Sequence, residues 1–232
     1  MNKKKRNQQS LCVQAQVIPR PKLCPVCGRT KNLHPHHTKK EIVFGKNPSI
    51  VLICDDCRHK IQCSVRLMEG YILRNFAPVY QKIWEYYTQN RHLTGTEITG
   101  YIEQCFIEID SIVCEYISIV DNPKNNDRGV EGICLRCGHF KELARHHPFK
   151  RAVFGENDVV YYICKECHTI LERSVTHFEA TVLRKFSRCY AQAWREFASE
   201  GFIDKDRIEW LVQREFLSIK AKRRYYNCKI KK

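Results

Sequence analysis

Four Cys-x-x-Cys pairs stand in two identical frames 110 residues apart, Cys24/Cys27 with Cys54/Cys57 and Cys134/Cys137 with Cys164/Cys167. Each frame encloses a His-His pair, His36-His37 or His146-His147, eight residues after its first Cys pair and sixteen before its second. Four thiolates around Zn²⁺ make a closed tetrahedral site with no position left for a reactant, so each frame reads as a folding device. Two structural zinc ions are expected. A cross-braced interaction module would need eight ligands for two zincs within one unit, and each frame supplies four thiolates.

The register runs past the cysteines. Lys31/Lys141, Val43-Phe44-Gly45/Val153-Phe154-Gly155, Asn47/Asn157, Leu73-Arg74/Leu183-Arg184, Phe76/Phe186, Tyr80/Tyr190, Trp84/Trp194, Ile98/Ile208 and Phe106/Phe216 all recur at the same offset. A repeat of roughly 100 residues is domain-sized, far longer than the period of a stacking solenoid. The reading is a basic tail over 1–22, a first unit over 23–120, a linker over 121–130, a second unit over 131–217 and a basic tail over 218–232. The linker, Asp-Asn-Pro-Lys-Asn-Asn-Asp-Arg-Gly from Asp121 to Gly129, is rich in turn formers and poor in apolar residues.

Each unit is small for its own hydrophobic core, so metal must support it. The cysteine spacing favours metal over a disulfide framework, and the chain has no secretory apolar segment. A reducing compartment follows, cytoplasm or organelle interior. Cys12, Cys63, Cys105, Cys114, Cys189 and Cys228 lack partners in the repeat and read as free thiols. No apolar run has the length of a membrane span.

Of the net charge of +15, thirteen positive charges lie in residues 1–22 and 218–232, which carry no acid. The middle of the chain is nearly neutral. Basic ends containing Lys3-Lys4-Lys5-Arg6 and Lys222-Arg223-Arg224 suit attraction to phosphate, with Tyr225-Tyr226 available for stacking.

Within each unit a Cys knuckle is followed by a hairpin whose clearest strand is Ile50 to Ile53 or Val159 to Ile163. The turn between its strands falls at Gly45-Lys46-Asn47-Pro48 or Gly155-Glu156-Asn157-Asp158. The second Cys pair opens a helix, and apolar residues from Val65 to Tyr87 and from Ile98 to Val113 recur at helical spacing. Pro78 should kink the helical stripe in unit one, where unit two has Arg188.

The order Cys-x-x-Cys, His-His, Asn, Cys-x-x-Cys-His resembles the zinc-containing branch of the HNH endonuclease family. Unit two carries it best, through Cys134-Leu135-Arg136-Cys137-Gly138, His146-His147-Pro148, Asn157 and Cys164-Lys165-Glu166-Cys167-His168. The resemblance implies that each zinc-bound unit is a treble clef (ββα); with the helical stripes that follow, the expected fold is α+β, two tandem copies of this unit each followed by two α-helices. The resemblance also implies that His146 and His168, with Glu172 one helical turn on, hold a catalytic Mg²⁺, Mn²⁺ or Zn²⁺. It makes His147 the general base and Asn157 the residue that orients it.

Phosphodiester hydrolysis needs a base poised near neutral pH, which imidazole supplies, and a cation beside the scissile phosphate. Asn157 lies seven residues before Cys164, against about five in the family pattern. Unit one departs further: Arg58 replaces the His after the second knuckle, Gln62 stands at the position of Glu172, and His59 is one place out of register. Unit one is therefore read as degenerate. Two functions follow, a nuclease cutting DNA ahead of RNA, or a non-catalytic tandem zinc protein binding DNA, RNA or a ribonucleoprotein complex.

Overall fold

Residues 22–46, 50–89, 91–108, 130–148, 150–155 and 160–230 are described by the computed structural model, with backbone alone for 151–152 and 224–230. The chain is mixed α+β, with two small sheets. The first half runs β1 (Leu33–His37), α1 (Glu41–Phe44), β2 (Ile50–Cys54), α2 (Asp55–Arg74), α3 (Ala77–Thr88) and α4 (Gly95–Glu108). The second runs β3 (Val130–Ile133), β4 (Phe140–His146), α5 (Arg151–Phe154), β5 (Tyr161–Cys164), α6 (Lys165–Lys185), α7 (Ser187–Glu200) and α8 (Lys205–Ile230).

β1 pairs antiparallel with β2, setting His36 opposite Val51. β4 pairs in the same sense with β5, setting His146 opposite Tyr161. Two features lie outside the sequence reading. β3 adds a strand to the far edge of β4 and begins at Val130, a residue of the expected linker. The connection between the hairpin strands opens with a helical turn, α1 or α5, where the spacing predicts only a turn.

α2 starts directly after the Cys54 cap with Asp55 and Asp56 in its first turn and ends on Arg74, charges that complement the helix dipole at both ends. Thr94 and Glu97 form a reciprocal capping box at the start of α4, with Thr94 N donating to Glu97 Oε2 at 2.8 Å and Glu97 N to Thr94 Oγ1 at 3.2 Å. α7 stops at Gly201, whose left-handed φ of 70° lets its N–H reach the Phe197 carbonyl at 2.8 Å.

The helical stripe breaks at Phe76, between α2 and α3, and at Phe186, between α6 and α7. Pro78 is not the cause, since Arg188 occupies its place in the second half and the break is the same. Both phenylalanines are 0% exposed. Burial of Phe76 and Phe186 accompanies the bend in each half, and Pro78 is simply tolerated in the first turn of α3.

One buried apolar cluster extends through both halves. At its centre Phe76 and Phe106 meet Phe186 and Phe216, every ring within 6.5 Å of the other three. Around this quartet the contacts are reciprocal. α1 packs on α6 and α5 on α2; α4 packs on α6 and α8 on α2. Arg184 Nε donates to the Val43 carbonyl at 2.6 Å, and Arg74 Nε donates to that of Val153. Tyr80 Oη donates to Glu179 at 2.5 Å and Tyr190 Oη to Glu69 at 2.6 Å. Each acceptor carboxylate also pairs with a lysine of its own half, Lys150 or Lys40.

The N-terminal basic segment, including Lys3, Lys4, Lys5 and Arg6, lies outside the described residues, as do the linker 121–129 and Asn157. The C-terminal basic segment is not a tail as far as Ile230, because it continues α8. Lys220 is buried there, and Arg223 pairs with Glu103 and lies 4.8 Å over the Phe106 ring.

Candidate metal centres

The first Cys pair of each frame sits on a tight knuckle. Gly28 N returns to the Cys24 carbonyl at 2.9 Å and Gly138 N to that of Cys134 at 2.9 Å. Both glycines have positive φ, 74° and 69°, which a side chain would strain. The second pair straddles the strand-to-helix junction, Cys54 ending β2 and Cys57 in the first turn of α2, with Cys164 and Cys167 equivalent on β5 and α6. Within Cys24, Cys27, Cys54 and Cys57, and within Cys134, Cys137, Cys164 and Cys167, all ligand atoms lie within 4.8 Å of one another.

A tetrahedral zinc with Zn–S bonds near 2.3 Å separates its sulfurs by about 3.8 Å. Cys27 and Cys54 sulfurs are 3.5 Å apart and those of Cys137 and Cys164 3.9 Å. Four thiolates at this spacing can hold zinc, one ion per frame. One thiol in each set is prepared for it. Although burial disfavours the anion, backbone N–H groups from Cys54, Cys27 and Val26 bring Cys24 down to about 6. Cys134 likewise falls to about 6 against burial, through N–H groups of Cys137, Cys164 and Arg136.

A third group of potential ligands forms beside the second cysteine cluster. His146 at the end of β4, His168 in the first turn of α6 and Glu172 one turn later bring ligand atoms within 4.8 Å of one another. The imidazoles of His146 and His168 meet edge to face with centroids 5.0 Å apart. Trp84, from α3 of the first half, stacks on His146 at 5.8 Å and 19°, and itself rests on Tyr161 at 4.4 Å. His146 is 6% exposed. Burial, helped by the charges of His168, His147 and Lys150, pushes it down to about 4, so at neutral pH it is uncharged and able to ligate.

His147 follows His146 out of the strand and is half-buried. Glu172 also borders an open groove with Thr169, Arg173, Thr176 and His177. Of the residues expected at the catalytic site, the structure thus brings together His146, His168 and Glu172, with His147 adjacent in the chain.

At the matching place in the first half, His36 stacks on Trp194 of α7 at 5.8 Å and 25°. His37 and Arg58 are exposed and Gln62 half-buried. His59 faces Cys63, with Nε2 3.7 Å from Sγ. No group of three metal-ligating side chains forms here beyond the four cysteines, among the described residues. A cavity of about 230 Å³ opens instead.

Among residues expected to meet nucleic acid, Lys222 is exposed on α8 and Arg223 is engaged as above; the side chain of Arg224 lies outside the described residues. Two contributions escape sequence reasoning. Trp84 and Trp194 each support a histidine of the opposite half, a role their shared register hints at but cannot specify. Arg136, inside the second knuckle, lies 4.6 Å over the Tyr87 ring and 4.0 Å from the Cys167 sulfur, where the first knuckle has Val26. Of the remaining described cysteines, none of which is in a disulfide, Cys63 is exposed and Cys105 and Cys189 are buried.

No protein-family model, no curated protein and no solved structure matches this chain. Its fold and site define a mixed α+β protein with two four-cysteine clusters that can hold zinc. No helix among the described residues is long and apolar enough to cross a membrane.

Proposed function

We propose that the chain is an HNH-like metal-dependent endonuclease, a tandem duplication of a treble-clef ββα unit in which the second copy cuts nucleic acid. The observation that carries this reading is the convergence of His146, His168 and Glu172 beside a separate thiolate cluster. Two imidazoles and a carboxylate suit Mg²⁺, Mn²⁺ or Zn²⁺, while four thiolates select structural zinc, so the two donor sets divide by softness. Bound there, a divalent ion would stabilise charge on the scissile phosphate and leaving oxygen.

The protein's own groups supply the rest. His146 is kept neutral and its ring is fixed between Trp84 and His168. Cys164 and Cys167 flank the start of α6, so a zinc held by them would anchor the turn that carries His168. His147 acts as general base, taking the proton of the attacking water, and Asn157 orients it. DNA is favoured over RNA, and the basic residues Lys3, Lys4, Lys5, Arg6, Lys222, Arg223 and Arg224 hold the substrate backbone, within a larger nucleoprotein complex if one forms.

The test is nicking of supercoiled plasmid by zinc-loaded protein with added Mg²⁺ or Mn²⁺, comparing wild type with His147→Ala at equal zinc content. Cleavage lost only in the variant supports the reading. Absence of cleavage by both, with binding intact, supports a non-catalytic nucleic-acid-binding zinc protein, which the Arg58 and Gln62 replacements in the first half favour.

A further inference from the structure

The first half has lost two of the three non-cysteine ligands but not the space around them. Arg58 and Gln62 occupy the positions equivalent to His168 and Glu172, while His36 keeps its place against Trp194. The resulting cavity, about 230 Å³, is lined by His36, His37, Lys40, Gln62, Arg66 and Trp194 among others, and no carboxylate lines it. Lys40 is partly satisfied by Glu69. Arg66, two turns along α2 from Arg58, is partly exposed and unengaged by any acid among the ion pairs of the described residues. Arg58 is exposed and is not among the lining residues; after burial, its charge is the next cause holding the His36 imidazole below its ordinary value.

Removing a carboxylate and installing a guanidinium reverses what such a place can bind. A metal needs lone pairs and an anionic donor, whereas this cavity offers N–H donors, positive charge and an aromatic wall. Guanidinium groups match phosphate oxygens in pairs, and an indole face suits a base or sugar beside the phosphate.

We infer that the cavity of the first half is a non-cleaving phosphodiester-binding site, in which Arg66, Lys40 and His37 offer N–H donors to a nucleic-acid backbone against the Trp194 wall. The site rests on the nucleic-acid reading above but not on cleavage. The degenerate half then holds one part of the strand while the second half cuts another.

The experiment uses the zinc-loaded full chain without added divalent ion. Binding of a fluorescein-labelled DNA duplex is followed by anisotropy over a salt series, for wild type, Arg66→Gln, Arg66→Lys and, as a charge-removal control at an exposed position outside both sites, Lys205→Gln, with circular dichroism and zinc content as controls. Loss of about tenfold in affinity is expected for Arg66→Gln, with partial recovery in Arg66→Lys. The salt slope should fall by about one per phosphate contact removed. Lys205→Gln should bind as wild type.

A folded Arg66→Gln that binds as wild type would overturn the inference. So would inorganic phosphate displacing the duplex from wild type and from Arg66→Gln at the same concentration, since the anion would then be held elsewhere. Plasmid nicking by the same proteins separates the two proposals: no nicking by wild type sinks the nuclease reading alone, while unchanged KM in Arg66→Gln sinks this one alone.

Discussion

The two halves place corresponding elements at nearly the same offset, apart from the added strand β3 and the longer α8, and their chemistry differs most beside the histidine of each hairpin. Both place four cysteines on a knuckle and a strand-to-helix junction, both set a histidine near the end of a hairpin strand, and both cover it with a tryptophan from the other half. In the second half, His168 and Glu172 turn that place into a cluster of metal donors. In the first, Arg58 and Gln62 leave a cavity with positive walls. The difference teaches that the scaffold and the chemistry are separable: the cysteine cluster, the helix break and the reciprocal packing survive where the donor set does not.

The largest effect should come from the thiolates. Cys134→Ser and Cys24→Ser each remove one ligand from a site of the kind whose metal supplies about 10–16 kcal/mol in small zinc units. Because the core crosses between the halves, either change should drop zinc content from two ions to one and abolish cooperative unfolding of the whole chain. Hydrogen exchange in which only the mutated half loses protection would show instead that the halves are stabilised independently.

Next comes the centre of the core. Phe106→Ala removes a ring that touches Phe76, Phe186 and Phe216, and should cost about 3–5 kcal/mol in denaturant unfolding. Phe216→Ala should cost about the same, within the scatter expected of cavity formation. A cost under about 1 kcal/mol for either would contradict a shared centre.

Tyr80→Phe and Tyr190→Phe test the reciprocity of the polar contacts. Each removes one hydrogen bond to a carboxylate that retains a lysine partner, worth about 1.5–3 kcal/mol. The two should agree closely, and their double substitution should be additive unless the bonds communicate through the core. The smallest change in stability should accompany Arg58→His with Gln62→Glu, the first exposed on α2 and the second half-buried at the cavity. That variant rebuilds the donor set of the second half beside His36 and should bind one more Mn²⁺ per chain in equilibrium dialysis; an unchanged count would mean that the cavity's geometry has diverged beyond its side chains.

Much of this is legible from spacing. Whereas the His146, His168 and Glu172 grouping is expected only through the resemblance to the HNH family, the cysteine frames, the second hairpin strand and the helix opened by the second Cys pair follow from residue identity at fixed intervals. The reciprocal docking does not, because a repeat of 110 residues states that two units are alike and says nothing of how they face each other. Trp84 and Trp194 illustrate the gap: both sit on an apolar helical stripe, and only the tertiary structure shows each ring beside the histidine of the other half.

A local rule assigns the helix break to Pro78, whereas the identical break at Phe186 occurs without a proline. β3 and the helical turns α1 and α5 are too short for periodicity to register. Charge alone makes the C-terminal basic run a tail, yet α8 carries it through Ile230 and buries Lys220.

The most direct test of the central contrast is anomalous scattering from crystals of zinc-loaded protein soaked in Mn²⁺, with data on both sides of the manganese and zinc absorption edges. The account predicts zinc at the two cysteine clusters and manganese between His146, His168 and Glu172, with none beside His36. Manganese absent from the second half, or present equally in both, would contradict it.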